Sequence, residues 1–418
     1  MDSRDEAERF GSWPVSYRHL RLIRSGVTSL LVESGKREKE GVYRSRYAVQ
    51  VSGLRAIEVA KVEGVNQKFR SPVALNSEQT SISPSLIRQL EKMAVRALYA
   101  LGLSSGEVLL VSCGGDRKYA VEQMTPSAYF TGGRMRKLYM LAEREQQRRL
   151  DAELGNGLPL MLGMDPEFLI VDPGSSEVIP ASRFLDREGE VGCDAVHGED
   201  GAAVSYPIAE LRPRPSANPR GLLVGLMRTL RMAGEMISDR SLVWLAGGMP
   251  KEGLPLGGHL HFSGVELTAE LLRALDNYLT LPVSLLEAPS SQLRRPKYGY
   301  LGDFRRQPHG GFEYRTLPSF LVSPLLSKGI VYLSYLIVMN YRTLKRRPLD
   351  NEERIHQAYY KGQREIMREY IEPLISDLQS LEQYRDAERY IEPLLRQIRQ
   401  GATWNECRDI RSLWNIPF

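Results

Sequence analysis

The first third of the chain alternates hydrophobic and polar residues in short runs. Such runs at 45–52 and 54–62 predict two neighbouring strands, and runs at 107–112 and 118–123 predict a second pair. Between the pairs, apolar residues recur every three or four positions over 84–101, which predicts an amphipathic helix. The pattern indicates a small α+β domain with antiparallel strands.

Capping and turn residues indicate where this domain ends. Ser83 is a suitable N-cap for the predicted helix, and Gly102 is a suitable residue just after it. A charged helical segment then leads to the sequence GNGLP at 155–159, which is typical of a linker. We therefore expect a first domain at residues 1–154 and a second domain at residues 155–418.

The second domain contains strand-like segments that carry polar residues at positions i and i+2. Such residues point to the same face of a strand. The sets are Asp165 with Glu167, Glu210 with Arg212 and Arg214, His259 with His261, and Glu313 with Arg315. One such set is common on a solvated strand face, which usually mixes threonine, lysine and serine with its acids. Four sets favour a shared functional site.

The last part of the chain, about 323–418, has a helical pattern. The apolar run GIVYLSYLIVMN at 329–340 is too short to cross a bilayer and predicts a buried helix, and helical spacing continues over 350–370. The sequence YIEPL occurs at 370–374 and at 390–394, and each proline is predicted to lie in the first turn of a helix. The second domain is thus expected to be α+β with a helical C-terminal tail.

Composition narrows the functional classes. The net charge of +5, from 56 basic and 51 acidic residues, is too small to predict nucleic-acid binding. Cys113, Cys193 and Cys407 are far apart and form no CxxC pair, and the polar residues 1–5 lead us to expect no secretory leader. We expect a reduced, cytoplasmic protein without a membrane span.

The polar sets supply the groups that bind divalent cations and phosphate. The candidate metal ligands are Asp165, Glu167, Glu210, His259 and Glu313. Carboxylates with one imidazole and no thiolate suit Mg²⁺ or Mn²⁺, and paired divalent ions suit phosphoryl transfer. The candidate anion-binding and catalytic residues are Arg212, Arg214, Arg305 and Arg315, whose guanidinium groups can hold a phosphate or a carboxylate.

Four motifs carry a family resemblance. GMDPEFLIVD, ELRPRP, GGHLHFSG and GFEYRTLPS, in this order, resemble the motif series of the carboxylate–amine ligases in the glutamine synthetase and glutamate–cysteine ligase superfamily. The likeness spans about residues 160–320 and is greatest to the phage- and spore-former-associated amidoligases. It implies a glutamine synthetase-like antiparallel sheet with packed helices, and ATP and Mg²⁺ as cofactors, with Mn²⁺ as an alternative ion.

The resemblance also implies roles for individual residues. Asp165 and Glu167 match the acidic pair that binds magnesium in that superfamily, and Glu210 matches the intermediate acidic ligand. His259 matches a metal ligand, whereas His261 matches a residue that contacts ATP.

The last motif completes the implied nucleotide site. Glu313 matches a metal ligand, Arg315 matches a phosphate-contacting arginine, and Arg305 is expected to contact the nucleotide as well. The implied reaction is attack of a substrate carboxylate on the γ-phosphate of ATP, followed by capture of the acyl phosphate by an amine. The general base would be an acidic residue of the loop that contains Asp194, Glu199 and Asp200.

The implied partners are a small-molecule or peptide carboxylate and an amine, and neither substrate is specified by the sequence. Relatives assemble in several ways, so a homo-oligomer is compatible with the sequence. Two other functions remain open. A metal-dependent hydrolase would need a third histidine or a lysine nearby, for which only His309 is available. A non-catalytic scaffold would bind nucleotide without turnover.

The first domain carries a second, weaker resemblance. Residues 98–126 resemble the closing part of an ATP-grasp domain, in which Glu122 matches a magnesium ligand. Leu109 and Met124 occupy the positions of the other two ligands, and apolar side chains cannot bind a hard cation. We expect a partial or degenerate ATP-grasp-like module used for docking or substrate recognition, with an unrelated α+β domain as the alternative.

Overall fold

The computed structural model describes residues 3–31, 45–63, 69–73, 82–114, 118–196 and 205–416. The chain divides into two compact units. The first comprises residues 1–157 with 268–270, and the second comprises residues 158–267 with 271–418.

The first unit contains one antiparallel sheet with helices. Its elements are α1 (Ser3–Ser12), α2 (Val15–Arg24), β1 (Arg46–Ser52), β2 (Arg55–Glu63), β3 (Phe69–Val73), α3 (Pro84–Ala100), β4 (Ser105–Ser112), β5 (Tyr119–Pro126) and α4 (Gly133–Asn156). The strand order is β3-β2-β1-β4-β5, and α3 packs on β1, β2 and β4. The Ser83 hydroxyl accepts a hydrogen bond from the Leu86 N–H, as an N-cap does. Gly102 has the positive φ of 70° expected after a helix.

The ATP-grasp-like segment contains an ion pair at its acidic position. Glu122 forms an ion pair with Arg46, in which Oε2 of Glu122 lies 2.8 Å from Nε of Arg46. Leu109 and Met124 are both buried. The carboxylate of Glu122 is therefore paired with an arginine and has apolar residues at the other two positions.

The second unit contains an eight-stranded antiparallel sheet and most of the helices. Its elements are β6 (Met161–Val171), β7 (Val178–Ile179), β8 (Val191–Val196), β9 (Ser205–Leu211), α5 (Pro219–Met236), β10 (Val243–Leu245), β11 (Gly258–Ser263), α6 (Ala269–Leu275), α7 (Leu281–Ser284), β12 (Phe304–Arg306), β13 (Phe312–Tyr314), α8 (Pro324–Asn340), α9 (Pro348–Asn351), α10 (Glu353–Lys361), α11 (Arg364–Arg368), α12 (Ile371–Gln379) and α13 (Tyr384–Arg399). The main strand order is β12-β13-β11-β6-β9-β8, and β7 and β10 pair with β6. The predicted α+β class, with an antiparallel sheet, packed helices and a helical C-terminal tail, is confirmed.

The longest strand, β6, changes character along its length. At its C-terminal end, Leu169 and Val171 belong to a buried apolar cluster with Ile208, Leu245 and Leu256. Because side chains alternate along a strand, these two residues share a face with the acidic residues at positions 165 and 167. One sheet face thus holds both part of the core and the predicted site.

One helix packs on this sheet, and two more helices pack in series on that helix. The helix α5 contacts β6, β8 and β9, and α8 packs on both α5 and α13. The predicted buried helix at 329–340 is confirmed as part of α8. Within the described residues, no helix is both long enough and apolar enough to cross a membrane.

Two details of the C-terminal helices differ from the prediction. The expected helix at 350–370 is divided, because α10 ends at Gly362, whose φ of 62° is left-handed. Pro373 lies in the first turn of α12, but Pro393 lies inside α13, so its predicted first-turn position is wrong. The apolar stripe that includes Ile391 and Leu394 is buried, and this packing offsets the hydrogen bond that Pro393 cannot donate.

Candidate active site

Strand register brings distant parts of the sequence to one face of the sheet. The strand β11 lies between β6 and β13, with His259 opposite Asp165 and His261 opposite Glu313. Glu313 is in turn opposite Arg305 on β12. Directly opposed residues share a face, so these five side chains occupy one face of four neighbouring strands.

The same face continues onto β9. Glu167 lies opposite Glu210, and both side chains are buried. One carboxylate oxygen of Glu167 accepts a hydrogen bond of 2.6 Å from the Gly257 N–H. The Ser319 hydroxyl donates to the Glu167 carbonyl oxygen at 2.5 Å. Hydrogen bonds therefore hold both the side-chain carboxylate and the main-chain carbonyl of Glu167 in place.

Three side chains converge at the centre of this face. The Nδ1 atom of His259 lies 3.0 Å from Oδ1 of Asp165 and 3.2 Å from Oε1 of Glu313. One ligand atom from each of the three residues lies within 4.8 Å of the others, and all three residues are buried. His261 Nε2 is 3.0 Å from the second oxygen of Asp165. We call Asp165, His259 and Glu313 the central trio.

The central trio fits a divalent cation. Asp165 Oδ1, His259 Nδ1 and Glu313 Oε1 are buried and close, yet none of these atoms forms a hydrogen bond of acceptable geometry. Burying polar atoms in this state is costly unless a ligand satisfies them. Two carboxylates and one imidazole are suitable ligands for Mg²⁺ or Mn²⁺.

The pKa values of Asp165 and His259 reflect the interaction of these two residues with each other and with their neighbours. Burial alone would raise the pKa of Asp165, but His259 and His261 outweigh burial and hold it well below its usual range. Burial would lower the pKa of His259, whereas Asp165, Glu167 and Glu313 together raise it to about 9. Without a bound cation, His259 is therefore protonated at neutral pH, and its positive charge offsets the negative charge of the neighbouring carboxylates.

The pKa values of the acidic pair beside the trio, Glu167 and Glu210, shift upward instead. Burial raises the pKa of Glu167 to about 7, and it raises that of Glu210 to about 8 with a further contribution from the charge of Asp165. Removal from water disfavours an isolated carboxylate. A bound cation would favour the ionised forms, so this pair also fits a metal site.

Glu313 connects the trio to the arginines. Its side chain is fully buried, and Arg315 Nε lies 2.9 Å from one oxygen. The other oxygen accepts hydrogen bonds from Arg305 Nε at 2.6 Å and from Gln307 Nε2 at 3.1 Å. The Arg305 side chain is 56% exposed, so its guanidinium reaches from this carboxylate toward solvent.

The family of the chain is established by its sequence. The model of the family described as phage phiEco32-like COOH.NH2 ligase-type 2 matches residues 162–416. The chain belongs to this family. The predicted membership among the carboxylate–amine ligases is therefore confirmed, and the matched region contains every predicted site residue.

Solved structures give only distant likenesses. A bifunctional glutathione synthetase from Pasteurella multocida is 12% identical, covering 65% of this chain and 52% of that chain, with a TM-score of 0.34. The chain thus spans about half the length of that protein. A glutamine synthase homolog is 13% identical, covering 66% of this chain and 75% of that chain, with a TM-score of 0.28. Apo GmaS is 12% identical, covering 85% of this chain and 92% of that chain, with a TM-score of 0.33. All three TM-scores are below 0.5. No curated protein matches the sequence.

The remaining predicted site residues lie farther from the central trio. Arg212 pairs with Glu210 and donates to the Arg187 carbonyl oxygen at 3.1 Å. Arg214 lies after the end of β9, where its 78% exposed side chain pairs with Glu190 at 2.8 Å. These two arginines are therefore not in the immediate surroundings of the central trio.

The other candidates are only partly described. Asp194 is exposed on β8, whereas Glu199 and Asp200 lie outside the described residues. His309 is exposed, and the metal-ligand cluster found among the described residues contains His259 but not His309. The third histidine that a hydrolase would need is thus not beside the trio.

Sequence reasoning missed the role of Gly257. Its N–H orients Glu167, and a Cβ atom at this position would lie only 2.2 Å from Nε2 of His259. The glycine doublet before His259 was visible in the sequence, but only the fold shows that the imidazole packs against the first glycine. Gly163 has a similar position opposite His261, where a Cβ would lie 3.2 Å from the histidine Cβ.

We expect Gly257→Ala to weaken Mn²⁺ binding by about 10- to 100-fold, because the added methyl group displaces the His259 ring. Electron paramagnetic resonance of free Mn²⁺ measures the affinity. Gly132→Ala is the matched control, because a Cβ at Gly132 meets no atom within 4 Å. Equal affinities of the two variants would contradict the proposed contribution of His259.

Proposed function

We propose that this carboxylate–amine ligase is ATP- and Mg²⁺-dependent and joins the carboxylate of an amino acid or peptide to an amine through an acyl phosphate. The observation that carries the proposal is the buried central trio with two arginines on the carboxylate of Glu313. Ligand atoms for a hard cation and donors for phosphate thus lie side by side, which is what phosphoryl transfer requires.

The proposed metal ligands are the central trio and the neighbouring pair Glu167 and Glu210. The convergence of buried oxygen and nitrogen atoms supports the first three, and the raised pKa values support the pair. Bound Mg²⁺ would neutralise the charge of the triphosphate. Gly257 and Ser319 hold Glu167 in position through its carboxylate and its carbonyl oxygen.

The arginines and His261 would bind and orient the substrates. Arg305 and Arg315 are proposed to hold the γ-phosphate, because their guanidinium groups flank one buried carboxylate. His261, which is 29% exposed, is proposed to contact the nucleotide. Arg212 and the exposed Arg214, which follow β9, are proposed to attract the anionic substrates.

The proposed reaction has two steps. An oxygen of the substrate carboxylate bonds to the γ-phosphorus of ATP while the bond to the bridging oxygen breaks and ADP leaves. The amine nitrogen then bonds to the acyl carbon, and inorganic phosphate leaves with the oxygen that carried it. The ammonium group must first lose a proton, and Asp194 is the described candidate that would accept it.

Calorimetric titration with ATP tests the nucleotide and metal site. We expect heat of binding with Mg²⁺ and a loss of binding when EDTA is added. Glu167→Ala is expected to weaken Mg²⁺-dependent binding by at least about tenfold, because a buried metal ligand is removed. Glu382→Ala, a change at an exposed acid, is the control. ATP binding that is independent of Mg²⁺ would contradict the proposed metal site.

Turnover separates a ligase from a scaffold. We expect ADP and phosphate to accumulate when the protein is incubated with ATP, Mg²⁺ and pools of amino acids or peptides. Intact-mass measurement of the pool should then show a product lighter by one water molecule than its two precursors. Binding of ATP without ADP release in any pool would instead favour the non-catalytic nucleotide-binding scaffold.

A further inference from the structure

One face of α5 carries a continuous stripe of exposed and half-buried side chains. The residues follow the spacing i, i+3, i+4, i+7, i+8, i+11, i+12 and i+15, so that they occupy one side of the helix. They are Arg220, Leu223, Val224, Met227, Arg228, Arg231, Met232 and Glu235. The opposite side of α5 is buried through Leu222, Leu226 and Leu230.

The stripe forms one wall of a groove. Lys328 and Tyr332 of α8 and Tyr390 of α13 form the other wall, and the groove has a volume of about 690 Å³. The rings of Tyr332 and Tyr390 stack with centroids 3.9 Å apart. A smaller depression, which shares Lys328 and Tyr390, continues from it. The groove therefore has a firm aromatic wall facing the helical stripe.

The groove combines apolar and positively charged surfaces. Val224 is 63% exposed at its apolar centre, a high value for a valine in a helix. Arg220, Arg228, Arg231 and Lys328 line the groove, and Glu235 is its one acidic lining residue. None of these four cations forms an ion pair with a carboxylate in the part of the chain that the structure describes.

We propose that this groove binds an acidic amphipathic α-helix of a partner protein. The stripe from Arg220 to Glu235 extends over about 22 Å at 1.5 Å per residue, the length of about four helical turns. An inserted helix would place apolar residues on Leu223, Val224 and Met227. Its carboxylates would face the four cations. This is the helix-in-groove form of recognition, with charge complementarity added.

Charge argues against a second copy of this chain as the occupant. A two-fold interface brings the same surface of each copy together, so that four cations and one carboxylate of one copy would face four cations and one carboxylate of the other. Such like-charge contacts are unfavourable. A bilayer is also a poor fit, because a flat surface does not fill the recess beside the stacked tyrosines. The proposal is independent of the ligase reaction.

Fluorescence anisotropy with a synthetic helical peptide tests the groove. The probe is a fluorescein-labelled 16-residue peptide with leucines at i, i+3, i+4 and i+7 spacing and glutamates on both flanks, and the control peptide has lysine in place of glutamate. We expect micromolar binding of the acidic peptide only, weakened by salt. Arg228→Glu with Arg231→Glu should weaken binding by at least about tenfold, and Val224→Asp should do the same.

The control variant is Arg408→Glu, which reverses the charge of an exposed arginine outside the groove and should leave binding unchanged. Equal binding of the acidic and lysine peptides, unchanged binding by the groove variants, or no binding of the acidic peptide would each overturn the proposal. It would also be overturned if vesicles containing phosphatidylserine bound through the groove residues while the peptide did not. Self-association that the groove variants abolish would have the same consequence.

Discussion

Replacement of Glu313 by alanine is expected to lower ADP release by at least about a hundredfold. The reason is that this one fully buried carboxylate contacts His259 of the central trio and also Arg305, Arg315 and Gln307. Its loss would remove a proposed metal ligand and release both arginines from their fixed positions. The measurement is coupled-enzyme detection of ADP at saturating ATP and Mg²⁺.

Glu313→Gln separates the chemical role of this residue from its structural role. Glutamine keeps the volume and can still accept hydrogen bonds, so we expect most of the stability to remain while activity is lost. Alanine leaves the guanidinium groups of Arg305 and Arg315 without their shared carboxylate and should lower the free energy of unfolding by about 1–3 kcal/mol. This loss is smaller than that for a fully buried pair because Arg305 is half exposed. The surface pair of Arg354 and Glu369 provides the control, and Glu369→Ala should change neither property measurably.

The largest loss of stability is expected from Glu406→Ala. This buried carboxylate in the C-terminal tail accepts hydrogen bonds from the Gly248 and Met249 N–H groups, the Ser291 hydroxyl and the Trp404 indole. Alanine leaves all four donors without their acceptor. We expect a loss of about 4 kcal/mol or more in the free energy of unfolding, measured by urea denaturation.

A matched change isolates this effect. Glu382→Ala removes an exposed acid from the same helical tail and should change stability by less than about 0.5 kcal/mol. Glu406→Gln should be intermediate, because the amide oxygen still accepts hydrogen bonds although it lacks the charge. A loss for Glu406→Ala as small as that for Glu382→Ala would contradict the anchoring role of Glu406.

The alternation of polar residues predicted much of the candidate site because alternation is a local property of a strand. His259 and His261 were expected to share a face, as were Asp165 and Glu167, and the backbone of β11 and β6 has that geometry. The order of the strands was not predictable in this way. Only pairing over long sequence distances places β11 between β6 and β13 and brings His259 between two carboxylates.

Other features were missed because their cause is tertiary. Pro393 has the sequence signal of a helix start, but α13 continues past it because the surrounding apolar stripe is buried. Gly257 was visible only as part of the motif GGHLHFSG, whereas the structure requires it for the close approach of the His259 ring. Glu406 lies in a segment without a recognisable motif, and its four donors come from three separate parts of the chain.

The position of β11 also affects how the protein acquires its site during folding. Asp165 and Glu313 are about 150 residues apart in sequence, and each reaches His259 only when β6 and β13 have both joined β11 in the correct register. Long-range strand pairing is intrinsically slow because it closes large loops. We therefore expect the proposed metal ligands to come together late in folding, and recovery of Mn²⁺ binding during refolding should lag behind the recovery of helical circular dichroism.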